Sequence, residues 1–189
     1  GTTEIPKLLE QEGVDYLGVA YTNEGISLRE AGIMTPIMVM NPEPSSFSDL
    51  IENCLEPEIY SLQELDEFIR ALILKGQMEY PIHIKVETGM NRLGFVEKDI
   101  VPLVKLIKSQ PEVYIKSVFS HLSSSDSEEE KEFTIKQLER FEELSTQIKN
   151  NFSYPIEKHI LNTAGIENYS NYQFDMVRLG IGLYGISGG

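Results

Sequence analysis

Short runs rich in β-branched and aromatic residues alternate along this chain with longer amphipathic stretches, and that alternation constrains the fold more than any other feature. The strand candidates are YLGVA (16–20), IMVM (37–40), PEIYS (57–61), IHIKVE (82–87), YIKSVFSH (114–121), KHILNT (158–163) and MVRLGIGLYG (176–185). Helical stretches fall between them near 3–12, 23–31, 45–53, 61–75, 98–109 and 128–150. The last puts Phe133, Leu138, Phe141, Leu144 and Ile148 on one face at close to helical spacing. Gly13, Gly32 and Gly76 each follow a helix and read as C-terminal caps. The acidic run Glu128 to Glu130 follows the capping stretch Ser125-Asp126-Ser127, which assigns it to a first helical turn, where negative charge suits the macrodipole.

Strands separated by helices imply parallel pairing through right-handed crossovers, and so an α/β protein. Seven strands after an opening helix fit two architectures. One is a doubly wound open sheet. The other is an eight-stranded (β/α) TIM-type barrel lacking its first strand, in which 158–163 and 176–185 are the seventh and eighth strands. The order of elements does not choose between them. At 189 residues the chain reads as one domain with its own core, and no repeat, low-complexity segment or linker interrupts it. NPEPSS (41–46) is long enough only for a loop and a helix start.

Thirty acidic residues against 16 basic ones give a formal charge of −14, which argues against a nucleic-acid partner. An anionic small ligand remains compatible, because a few local cations and backbone N–H groups suffice to hold it. No apolar run approaches the roughly 20 residues that span a bilayer, and the first ten residues do not read as a signal peptide, so no membrane partner is expected. The one cysteine, Cys54, excludes an internal disulfide framework and suits a reducing cytoplasm; it reads as a semi-buried structural thiol. No metal site is expected.

Four segments carry chemistry. In IHIKVETGMNRLGF (82–95) the strand alternates, with Ile82, Ile84 and Val86 on one face and His83, Lys85 and Glu87 on the other. Arg92 follows in a glycine-containing loop. On an exposed strand these charges would form only weak surface pairs; at the mouth of a barrel they would belong to an active site. In SVFSHLSSSD (117–126) His121 ends an apolar strand, either as a satisfied polar residue or as an imidazole lying against an aromatic ring. HILNTAG (159–165) delivers Asn162 and Thr163 to a turn that starts a helix, which is either an ordinary cap or part of an anion site. DMVRLGIGLYG (175–185) holds Arg178 within an apolar run, followed by Gly180, Gly182 and Gly185; glycine inside a strand often marks close approach of a ligand or another backbone. In a barrel, the turns after the seventh and eighth strands are where phosphate sites recur, and there Asn162-Thr163 and Gly180-Ile181 fall.

In this order and spacing, HIKVETGMNRLGF, FSHLSSSD, HILNTAG and DMVRLGIGLYG closely resemble the N-terminal barrel of the alanine racemases, a family of fold-type III pyridoxal-phosphate enzymes. Weaker similarity runs through 14–40 and 133–144, so the resemblance covers nearly the whole chain. It implies a (β/α)8 TIM-type barrel domain without its first strand, and pyridoxal 5'-phosphate-dependent racemisation of L-alanine to D-alanine for peptidoglycan synthesis. Lys85 matches a lysine that is often carbamylated, and Arg92 the arginine it orients toward the cofactor's phenolic oxygen. His121 matches the histidine packed against the pyridine ring. Asn162 and Thr163 match a pair at the phosphate, where the second residue is commonly serine; threonine keeps the hydroxyl. Arg178 matches the arginine facing the ring nitrogen, and Gly180 and Ile181 supply backbone N–H groups to the phosphate. The related amino-acid decarboxylases carry an acid at the ring nitrogen, so Arg178 favours a racemase.

The same resemblance implies what these 189 residues lack. The lysine that bonds the cofactor belongs to a first-strand motif resembling K-A-x-A-Y-G-x-G, of which Gly1 looks like the last glycine. The second base is a tyrosine on a C-terminal β domain, contributed by the partner subunit of a homodimer, whereas this sequence stops at Ser187-Gly188-Gly189. The fragment alone is therefore expected to be inactive, unable to bond the cofactor covalently, and left with two unpaired strand edges that favour aggregation. Rival readings are a single-barrel pyridoxal-phosphate carrier, a racemase of another amino acid (serine or a basic one), and a non-catalytic racemase-like domain fused to a cell-wall ligase.

Overall fold

A computed structural model describes residues 3–187; Gly1, Gly188 and Gly189, to which the sequence reading assigned the ends of the motif and of the chain, lie outside the described residues. The described strands are β1 (Leu17–Val19), β2 (Ile37–Val39), β3 (Glu56–Ile59), β4 (Tyr80–Lys85), β5 (Val113–Phe119) and β6 (Glu157–His159), neighbouring one another in chain order. The pairs β1–β2, β2–β3 and β5–β6 are parallel, with Leu17 opposite Ile37 and Phe119 opposite His159. The helices are α1 (Glu4–Gln11), α2 (Thr22–Glu30), α3 (Phe47–Glu52), α4 (Leu62–Lys75), α5 (Glu97–Lys108), α6 (Lys131–Lys149) and α7 (Thr163–Asn168). The α/β class and the parallel pairing follow the alternation read from the sequence.

The chain divides into two compact units, one formed by residues up to Ile59 with Gln63–His83 and Gln110–Tyr114, the other by Tyr60–Leu62, Ile84–Ser109 and the chain from Ile115 onward. In the first, Glu10 on α1 accepts from the backbone N–H groups of Met34 and Thr35 and from the Thr35 hydroxyl, and these donors hold its carboxyl below the usual carboxylate range. The ring cluster Phe47–Phe68–Tyr80 packs edge to face, and Leu55 fills the space where a side chain at Gly25 would sit. The Glu56 carboxylate accepts from the Tyr16 hydroxyl at 3.0 Å and meets His83 Nε2 at 2.8 Å. In the second unit, α6 buries Leu138, Phe141, Leu144 and Ile148 while Phe133 is half-buried, the face expected from helical spacing.

Four expectations are corrected. No seventh strand forms among the described residues: 176–185 runs beside the end of β6 with bonds from Asp175 N to Lys158 O and Arg178 N to Leu161 O, then turns into a 3-10 helix (Ile181–Tyr184). Gly180 and Gly182 direct their N–H groups to the Thr163 hydroxyl instead of a ladder partner. The acidic run Glu128 to Glu130 precedes α6, whose first residue is Lys131; Ser127 Oγ accepts from Glu130 N ahead of the helix. Cys54 is exposed rather than semi-buried, at a left-handed φ of 51° that turns the chain between α3 and β3. The strand 82–87 is not a solvated one: His83 and Lys85 are buried along with Ile82, Ile84 and Val86, as in a parallel strand covered on both faces.

Candidate functional site

The second unit gathers the chemistry at the C-terminal ends of β4, β5 and β6. Val86 N donates to Phe119 O at 2.9 Å and Phe119 pairs with His159, which brings Lys85, Phe119 and His159 to adjacent strand ends. The Phe119 ring is the shared wall. His159 stacks on it with centroids 5.0 Å apart and planes 3° from parallel. Lys85 Nζ lies 5.8 Å and Arg178 Cζ 5.3 Å from its centroid, so two cations share one aromatic ring.

Arg178 is held by main chain. One of its terminal nitrogens donates to Ser120 O at 2.6 Å and Ile160 O at 3.2 Å; the other donates to His159 O at 3.4 Å and meets His159 Nδ1 at 2.5 Å. A guanidinium can only donate, so Nδ1 must accept. The ring proton of His159 therefore sits on Nε2 and points at Ser117 Oγ, 3.0 Å away. His159 is fully buried and supports Arg178 as the neutral tautomer.

His121, just beyond β5, is half-buried. Burial pushes its imidazole down to about 4, helped by the positive charges of Arg178, Lys85 and Arg92. Three cations acting on one ring mark an electropositive spot in a chain of net charge −14.

The loop from β4 to α5 carries Arg92, whose side chain is exposed. Glu87 staples this loop from within: its carboxylate accepts from the N–H of Gly89 and, at 3.3 Å, from the N–H of Arg92 itself. Phe95 N returns to Lys85 O at 2.8 Å and closes the loop beside the lysine. Gly94, at φ 137°, lies so close to the backbone of Val86 and Glu87 that an added Cβ would stand 2.7 Å from both.

After β6, Asn162 caps α7: its Oδ1 accepts from Gly165 N at 2.9 Å and from Ser125 Oγ at 2.7 Å. Thr163, buried beside it, accepts on Oγ1 from Gly180 N at 3.2 Å and Gly182 N at 3.1 Å. Gly182 comes so near that a Cβ there would stand 2.8 Å from Thr163 Cγ2. Ile181 opens the 3-10 turn between these two glycines and is exposed. Lys85, His121, Asn162, Thr163, Arg178 and Gly180 thus lie in one unit around adjacent strand ends, with Arg92 on the loop above Lys85 and Ile181 between two amides aimed at Thr163.

Sequence reasoning gave no role to His159 or to Gln137, a fully buried side chain on α6. His159 left no pattern, since its part depends on a contact with a residue 19 positions away. Gln137 did leave one: it sits four residues after Phe133 and four before Phe141, a polar residue inside an apolar stripe.

Parallel βα units with cations, backbone N–H groups and a neutral imidazole gathered at the strand C-termini define an α/β protein with a local electropositive cluster at its strand ends. The sequence model of the family described as "Alanine racemase, N-terminal domain" matches residues 1–188, and the chain belongs to that family. It is 32% identical over 98% of its length to "Alanine racemase 1" of Oceanobacillus iheyensis, covering 50% of that protein. It is 36% identical over 98% of its length to the alanine racemase of Clostridium novyi, covering 48%. Among solved structures, the alanine racemase of Clostridium difficile 630 superposes with a TM-score of 0.90 at 34% identity, over 97% of this chain and 48% of that one. The alanine racemase of the D-cycloserine producer Streptomyces lavendulae gives 0.91 at 26% identity, over 99% and 50%. The chain spans about half the length of the relatives it matches. Among the described residues no helix is long and apolar enough to cross a membrane.

Proposed function

We propose that the whole protein is a pyridoxal 5'-phosphate-dependent racemase that interconverts L- and D-alanine, and that this chain supplies the cofactor's cradle. The observation that carries the reading is Arg178: a donor-only cation fixed by three main-chain carbonyls and the buried His159, beside the Phe119 ring. The residues present fit the cofactor. Thr163 and the backbone of Gly180 and Ile181 would hold the phosphate: Thr163 Oγ1 takes the N–H groups of Gly180 and Gly182 and keeps its own hydroxyl proton to donate, and Asn162 fixes the turn beneath. His121, neutral above about pH 4, suits the face of an aromatic ring.

Bound pyridoxal phosphate supplies an electron-accepting ring that acidifies the α-proton of an amino acid. Arg178 then sets how strongly that ring draws electrons. A carboxylate opposite the ring nitrogen would keep it protonated, whereas a guanidinium cannot accept a proton and leaves it free, which favours return of the α-proton over transamination. Lys85 and Arg92 bring positive charge to the same end of the strands, where Arg92 would serve the cofactor's phenolic oxygen. The lysine that bonds the cofactor and the tyrosine that acts as second base would be supplied by the rest of the whole protein, in keeping with relatives about twice as long. The 189 residues alone are then inactive. The whole protein is a cytoplasmic homodimer supplying D-alanine for the cell wall.

Replacing Arg178 by glutamate in the whole protein tests this. Racemisation is expected to fall by about two orders of magnitude or more while pyruvate formation from alanine rises. Unchanged racemisation in R178E would refute the role given to this residue.

A further inference from the structure

Helix α6 sends one polar side chain into the machinery just described, and none of the roles above accounts for it. Gln137 is fully buried and every hydrogen-bonding site of its amide is used. Oε1 accepts from Ser123 N at 3.2 Å and Ser123 Oγ at 3.1 Å; Nε2 donates to His121 O at 3.3 Å and Thr88 Oγ1 at 3.4 Å. The backbone partners fix which way the amide faces, since His121 O only accepts and Ser123 N only donates.

The chain of bonds continues in one direction. Ser120 Oγ donates to Val86 O at 2.7 Å, so its lone pair takes the Thr88 hydroxyl proton across 2.9 Å. The run is Gln137 Nε2–H to Thr88 Oγ1–H to Ser120 Oγ–H to Val86 O, and Thr88 and Ser120 are both buried. A Cβ on Gly89 would meet Gln137 Cγ at 3.3 Å and Phe133 Cζ at 3.1 Å, so α6 presses directly on the Arg92 loop. Three functional groups hang from this network: His121 by its own carbonyl, Arg92 through the loop that begins at Thr88, and Arg178 through Ser120 O.

We infer that Gln137 is a positioning residue that holds the His121 segment and the Arg92 loop in register with each other. The inference rests on the racemase reading for its catalytic consequence but not for its structural one. A merely structural glutamine would affect only stability when changed. A positioning glutamine also alters the groups it aligns.

The test uses the whole protein with Gln137→Glu and Thr88→Val. The first keeps the acceptor for Ser123 and loses both donors; the second breaks the relay at its next member with little change of volume. Two readouts are taken: the His121 ring titration by NMR without cofactor, and kcat and KM for alanine with pyridoxal phosphate. Each variant is expected to move the His121 midpoint up from about 4 toward the ordinary histidine range, and to lower kcat about tenfold with KM nearly unchanged. The double variant should lose less than the product of the singles, because both cut one network. If Q137E does not fold, T88V alone carries the test. Variants with wild-type His121 titration and wild-type kcat, whatever their melting temperature, would overturn the inference. Absence of racemase activity in the wild type would instead defeat the racemase reading, leaving the NMR comparison to decide on Gln137.

Discussion

At the scale of single residues, two histidines in one unit are driven to neutrality by different means. His159 is fixed by an arginine that donates to Nδ1 and a serine that receives from Nε2. His121 is held down by burial first and by the charges of Arg178, Lys85 and Arg92 next. The second case has a consequence for stability. Below the unfolded value near 6.5 the unfolded chain takes up a proton at this position while the folded one does not, until about pH 4. Stability should therefore fall as pH drops from about 6.5 to about 4, and the loss should be smaller in His121→Asn. Urea unfolding of the whole protein and the variant at a series of pH values checks this; parallel curves would remove the assigned cause. Lys85, His121 and Arg178 were singled out by the resemblance of their motifs to the racemase barrel, since strand alternation and strand ends alone left their ordinary structural readings open. His159 and Gln137 were not, because their parts depend on partners 19 and 49 residues away.

At the scale of elements, the alternation of apolar strands with amphipathic helices recovered the strand positions from 17 to 159 and the helices between them, usually to within a few residues. It failed at 176–185, where apolar composition reads as strand. Three glycines and a hydroxyl acceptor turned that run into an irregular segment with two bonds to the end of β6 and a short 3-10 turn. Hydrophobic pattern does not reveal where a backbone N–H finds a side-chain acceptor. The loop from β4 to α5 shows the opposite case, its shape written into GMNRLG. Gly94 at φ 137° leaves no room for a side chain against Val86 and Glu87. Gly94→Ala is expected to cost about 2 kcal/mol or more and to reduce activity through the displaced Arg92 loop, measured by urea unfolding and by kcat/KM. A variant of wild-type stability and rate would mean that the loop relaxes freely.

At the scale of the whole molecule, the family, the parallel α/β architecture and the converging cationic groups describe about half the length of the related racemases. Net charge alone would have argued against an anionic cofactor. Positive charge is concentrated instead at a few strand ends, where the surrounding protein is low in dielectric and each cation counts for more. The central claim is that these strand ends form the cradle of a pyridoxal-phosphate racemase acting on alanine. Its most direct test is to incubate the purified whole protein with L-alanine in deuterated water, with and without pyridoxal phosphate, and to follow both enantiomers and deuterium at Cα. D-alanine is expected to accumulate to parity with L-alanine, carrying deuterium, only when the cofactor is present. Saturating cofactor with no D-alanine, or alanine consumed to pyruvate instead, would contradict it.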